Sequence, residues 1–382
     1  MSGFVCLCVC VCVLRLEKSL AMSFQEALDL LERQDFSLAR AILSQLLKSD
    51  ASDALVPKED IAFNLAVSYA ADNQLETALK LMQEKPVQRD SFDLRFNIAL
   101  CKYLSSNGKK VSDYFEELMQ LLDDIATTEP KCIEVAERVV SELCALLWHY
   151  RLYQKLEAVL RKARPLVSDE SAWVKSVAHT LFMMDNRYEE CCELYAELLP
   201  DADGHESVET SLLATDPFVL ANLCVSLVLT GRNSEAEELI KEVESDESAF
   251  DAMDKTREEA THLETINLAL GTLYCVKSNQ EFGLIRVFKT FEPFAELKEC
   301  SMKWFHAKRC ILALIDTHCK QMAFVKEEIF DLIITFLKQC ERFGVTLLVS
   351  SAEQRQVQSI PASLAIEARY LRALIVEILH DS

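Results

Sequence analysis

Asn64-Leu65-Ala66-Val67-Ser68-Tyr69, followed by the turn Asp72-Asn73-Gln74 and by Ala78, is the stretch that decides the fold. Two helix-compatible runs meet here across a polar turn, and Ala66 and Ala78 put one small residue on each run. Small residues at those places let two antiparallel helices approach closely, while Leu65 and Tyr69 fill the groove beside them. One such pair cannot bury its apolar face alone, so the sequence has to repeat the device.

It does. Asn97-Ile98-Ala99, Asn222-Leu223-Cys224 and Asn267-Leu268-Ala269 repeat the Asn-aliphatic-small triplet. Ala236 follows Cys224 at the same interval that separates Ala66 from Ala78, and Leu270-Gly271 with Tyr274 and Gly283 gives a further copy. The skeleton is that of a tetratricopeptide repeat, a helix–turn–helix unit that stacks on its neighbours. The expected fold is therefore all-α: a tetratricopeptide solenoid, wound as a right-handed superhelix, over residues 22–293. Polar stretches interrupt the period at 200–217 and 242–259, where acidic insertions are expected. After Pro293 the apolar helices from Trp304 onward lack the skeleton, so 294–382 reads as a C-terminal capping bundle.

The bulk numbers agree with this organisation. Only 7 Gly and 8 Pro punctuate 382 residues that are 50% hydrophobic, which leaves little room for hairpins. A net charge of −21 repels phosphate backbones and anionic membranes, so nucleic acid is not an expected partner. Fifteen Cys include four in one opening run (Cys6, Cys8, Cys10, Cys12), and the rest have no framework spacing, so they read as reduced, buried small side chains. Cys300, His306, Cys310, His318 and Cys319 lack a second zinc-like pair, so no metal and no cofactor is expected. The apolar run Phe4 to Leu14 has no basic residue before it, and its Val-Cys alternation is what a translated dinucleotide repeat would give. Residues 1–21 accordingly read as an artefactual or unstructured segment rather than a signal peptide, and no membrane insertion is expected.

No glycine-rich phosphate loop, paired zinc-binding His or nucleophile elbow occurs, so the chain reads as a non-enzyme. The chemistry on offer is that of a grip. An Asn two residues before the small position faces the groove in this repeat class, and its amide can both donate to and accept from an extended peptide backbone. Asn64, Asn97, Asn222 and Asn267 are the candidate peptide-binding residues, and the competing reading is that these amides satisfy neighbouring helices.

Several segments also resemble a known family. Trp173-Val174-Lys175-Ser176-Val177-Ala178-His179, Val219-Leu220-Ala221-Asn222-Leu223-Cys224, Gly271-Thr272-Leu273-Tyr274-Cys275 and Ala307-Lys308-Arg309-Cys310 resemble, in order and spacing, the C-terminal half of the intraflagellar transport protein 70 (tetratricopeptide repeat protein 30, fleer) family. The resemblance implies a scaffold subunit of the intraflagellar transport B complex, in the cytoplasm of the cilium and its base. It implies a role in anterograde transport, cilium assembly and polyglutamylation of axonemal tubulin. The implied partners are intraflagellar transport B subunits, above all a proline-rich segment of intraflagellar transport protein 52, and kinesin-2 motors. The family's N-terminal repeats have no counterpart here, so a non-functional fragment of the longer member is one alternative. A co-chaperone-type adaptor clamping acidic tails is the other, and it would use Arg95 and Lys102 beside Asn97.

Overall fold

A computed structural model describes residues 21–48, 56–84, 91–128, 132–184, 186–200, 211–253, 261–277, 279–321, 327–349 and 363–381. The helices come in pairs: α1 (Ala21–Glu32) with α2 (Phe36–Lys48), α3 (Lys58–Ala71) with α4 (Leu75–Gln83), α5 (Phe92–Ser105) with α6 (Val111–Thr127), and α7 (Ile133–His149) with α8 (Tyr153–Ala163). Then follow α9 (Glu170–Phe182) with α10 (Tyr188–Ala196), α11 (Pro217–Leu229) with α12 (Asn233–Met253), and α13 (His262–Val276) with α14 (Gln280–Lys289). Three longer helices end the chain: α15 (Ser301–Gln321), α16 (Glu327–Phe343) and α17 (Leu364–Asp381). Among the described residues the only β feature is an isolated antiparallel bridge between Leu348 and Ser363.

The turns show why these residues pair. Asn73 (φ 59°) and Gly231 (φ 80°) sit in the left-handed region that ends a helix and reverses the chain. The next amide then reaches back five residues: Gln74 N–H donates to the Tyr69 carbonyl, and Arg232 N–H to the Leu227 carbonyl, both at 2.8 Å. Gln34 (φ 63°) and Arg151 (φ 56°) adopt the same conformation without the usual turn chemistry. Asp35 and Leu152 complete the same bond there, to Leu30 and Leu147, at 2.9 Å. Starts are marked as well: Ser91 Oγ accepts from Leu94 N–H at 3.2 Å, and Asp216, just before Pro217, accepts from Phe218 N–H at 2.9 Å.

The small residues lie where the helices cross. Ala66, Ala78 and Cys224 are fully buried, Ala236 is nearly so, and Leu65, Leu223 and Leu270 are buried beside them. In α13–α14 the approach is closer than alanine allows. A Cβ on Gly283 would lie 2.6 Å from the Gly271 carbonyl oxygen, and one on Gly271 would lie 2.8 Å from the Gly283 carbonyl oxygen. Tyr274 closes the pair edge-on against Phe282, with ring centroids 4.9 Å apart. Tyr69 instead lies half-buried, with the Arg40 guanidinium 5.3 Å above its ring.

The chain divides into two compact units, residues 2–173 and 174–382. In the first, each helix from α1 to α8 packs on the next, and small cores such as Phe24, Leu28, Leu43 and Ile61 fill the space between pairs. In the second, α13 and α14 share one core with the three last helices: Leu284, Val287 and Phe291 pack with Trp304, Ile333 and Leu371. Phe288 stacks flat on Phe336 at 3.7 Å, and Trp304 Nε1–H donates to Glu367 at 2.7 Å.

Of the expected insertions, residues 242–253 simply prolong α12 as helix, while 254–260 lie outside the described residues. Residues 201–210 and the opening run 1–20 also lie outside them. No helix among the described residues is long and apolar enough to cross a membrane.

Candidate peptide-binding face

The four Asn side chains fall into two classes. Asn64 and Asn97 fold back on their own helices: each Nδ2–H donates, at 2.8 Å, to the carbonyl four residues earlier, of Asp60 and Asp93. Asn64 is buried with 6% exposure, whereas Asn97 is only half-buried. Asn222 and Asn267 reach other elements instead. Asn222 Nδ2 lies 3.2 Å from the Tyr195 hydroxyl and 3.3 Å from His179 Nδ1. Asn267 Oδ1 accepts from Arg286 on α14 at 2.9 Å. Because Gly271, not Ala269, is the residue that meets α14, Asn267 sits one turn before the small position and is not the repeat equivalent of Asn64.

Around Asn222 a three-residue network is built between α9, α10 and α11. The Tyr195 hydroxyl, fully buried, lies 2.7 Å from His179 Nδ1. Burial, aided by nearby Lys175 and opposed by Asp216, holds His179 below the usual imidazole range, and burial pushes the Tyr195 phenol upward. A neutral imidazole accepting from Tyr195, with Asn222 donating to the same phenol oxygen, satisfies all three. The three side chains tie α9, α10 and α11 together. Both of the Asn222 contacts use Nδ2, and Asn222 Oδ1 has no hydrogen-bond partner among the described residues.

Sequence reasoning did not find Tyr195 or Arg286. Each lies on the second helix of its pair, and only the fold brings it under the first-helix Asn. The suggested basic pair is already engaged: Arg95 bonds Asp124 at 2.6 Å and Lys102 bonds Glu117 at 2.8 Å. Arg138 likewise spans α7 to α5, bonding Asp93 at 2.5 Å. Clefts open among the described residues. One of about 240 Å³ lies beside Lys102 and the stacked Tyr103–Tyr114 pair, and one of about 660 Å³ is lined by Asn267, Glu264 and the 289–303 segment. Among the described residues no three His, Cys, Asp or Glu side chains are placed to share a metal ion, and the cysteines described are free thiols. Cys191 and Cys192 are buried, and burial pushes the Cys191 thiol up to about 12.

Stacked helical pairs of the tetratricopeptide type define an all-α repeat protein. The family model described as "Intraflagellar transport protein 70 C-terminal domain" matches residues 111–382, and the chain belongs to that family. Intraflagellar transport protein 70A of Xenopus laevis is 33% identical over 287 residues, covering 73% of this chain and 43% of the relative. The Homo sapiens protein of the same name is 30% identical over 339 residues, covering 86% and 49%. That of Danio rerio is 34% identical over 253 residues, covering 64% and 37%. The chain thus spans less than half the length of these relatives. A solved structure titled "Structure of Naa15/Naa10 bound to HypK-THB" aligns over 94% of this chain and 51% of its own, at 10% identity and a TM-score of 0.39.

Proposed function

We propose that this chain is a non-enzymatic scaffold of the intraflagellar transport B complex, acting in the cilium and at its base. In that role it supports anterograde transport, cilium assembly and polyglutamylation of axonemal tubulin, with kinesin-2 as the motor. Membership of the intraflagellar transport protein 70 family is the observation that carries this reading. The partner held is an extended, proline-rich segment of intraflagellar transport protein 52. Residues 22–293 form the holding solenoid and 294–382 cap it.

The hydrogen-bond geometry supports a ranking among the amides. Asn97 and Asn222 are half-buried, spend Nδ2 internally, and keep Oδ1 to accept a backbone N–H from the segment's non-proline residues. Asn64 is more deeply buried and contributes less. Affinity purification of the 382-residue chain from ciliated cells, with mass spectrometry, tests the reading. Recovery of intraflagellar transport B subunits, protein 52 foremost, is the expected result, and it weakens when Asn97 and Asn222 are both replaced by Ala. A stable chain that brings down none of them ends the scaffold reading.

A further inference from the structure

The cleft of about 660 Å³ lies wholly within the second unit, between the first turns of α13 and α15 and the segment that joins α14 to α15. Its lining mixes apolar surface (Leu263, Pro293, Leu297, Met302) with glutamates and lysines. Met302, 62% exposed, offers an open apolar side chain at the cleft's edge.

The charges around it sort into those already used and those left over. Glu247 accepts from the Leu263 amide at 2.9 Å, so one carboxylate already answers the positive end of α13. Lys303 is mostly covered and bonds Glu264 at 2.7 Å, so that pair is closed. Glu292, Glu296 and Glu299 remain on the exposed rim with no ion-pair partner among the described residues. They share the wall with Lys289 and Lys298, so the rim is left with an acidic excess. Asn267, which also lines the cleft, is 93% buried (7% exposed) and its Oδ1 is fixed by Arg286, so its Nδ2 is the end still able to donate.

We infer that this cleft takes an extended peptide segment carrying Lys or Arg beside an aliphatic residue. The aliphatic side chain covers Leu297 and Met302, a backbone carbonyl accepts from Asn267 Nδ2, and the basic side chain lies between Glu296 and Glu299. An acidic tail does not fit, because the same rim repels it. The inference rests on the reading of the chain as a holder of extended segments, and it adds the chemistry of one position on the held segment.

The test uses the full chain and a fluorescein-labelled Lys-Leu-Gly repeat peptide, with the Glu-Leu-Gly repeat as its counterpart, followed by fluorescence anisotropy. The Lys peptide should bind, weaken as salt is raised, and lose about tenfold in affinity on the double substitution Glu296→Lys, Glu299→Lys. Both residues are exposed, so the variant keeps its fold, which circular dichroism checks. A copy of the Lys peptide carrying a photoreactive leucine should cross-link within residues 292–303. Equal binding of the Glu peptide, unchanged binding by the double variant, or cross-links elsewhere would each overturn the assignment. Recovery of protein 52 by the wild-type chain is scored separately: its loss ends the scaffold reading, whereas the peptide results decide the cleft.

Discussion

Asn64 in the first unit and Asn222 in the second stand at the same place in their repeats, yet their side chains do different work. Asn64 bonds its own helix at 2.8 Å, while Asn222 ties α11 to Tyr195 and, through it, to His179. The neighbours make the difference. In α3 no phenol or imidazole is bonded to the amide, so it satisfies itself on the nearest free carbonyl lone pair. In α11 a buried hydroxyl needed a donor, and an unmade hydrogen bond there costs more than a backbone contact returns. A repeat position therefore fixes where a side chain points and leaves open what it bonds.

The sharpest way to break the comparison is at the helix crossings. Gly283→Leu in α14 drives carbons into the Gly271 carbonyl and Cys275, and should destabilise the second unit by about 3 kcal/mol or abolish its folding. Ala78→Gly at the corresponding crossing in α4 should cost only about 1 kcal/mol, mostly helix propensity, in chemical denaturation. Asn267→Ala comes next, at about 2 kcal/mol, because it takes from Arg286 an acceptor bonded to a charged group. Tyr195→Phe should cost about 1 kcal/mol, leaving His179 and Asn222 to find new partners.

Acid separates the units more gently. His179 and His306 are both held below their ordinary pKa of 6.5, burial being the larger cause in each. Between the folded and unfolded values the unfolded chain binds more protons, so stability is full above about pH 6.5 and is lost as pH falls through the folded values. Hydrogen exchange followed from neutral pH toward pH 5 should show the second unit loosening, and His179→Gln with His306→Gln should flatten the slope. The smallest effect belongs to Asn64→Ala, expected within about 0.5 kcal/mol because lost self-bonding is offset by better helix propensity. A large loss there would mean that the two units use their amides alike.

Much of the fold was legible because it depends on local spacing. Ala66 with Ala78, Cys224 with Ala236, and Gly271 with Gly283 announce crossings in the sequence, and Asn73 announces its turn. The junction at Gln34-Asp35 was legible from the amphipathic segments on either side, but the left-handed conformation of Gln34 and Arg151 was not, since their side chains carry no preference for it. The acidic stretch from Glu242 reads as an interruption, but with Val243 buried on one face and mostly acidic residues on the other it continues as helix, and α12 carries it to Met253.

The sequence by itself determined the class of fold and the placing of its repeats, because both follow from which residues are small, apolar or turn-forming at short range. Only the tertiary structure decided that Asn222 serves Tyr195, that Asn267 serves Arg286, that Arg95 and Lys102 are already paired, and that a half-apolar, glutamate-rimmed cleft opens beside α15. Those outcomes depend on side chains from different helices meeting, and the strength of a polar contact is set by the burial and partners that the meeting supplies.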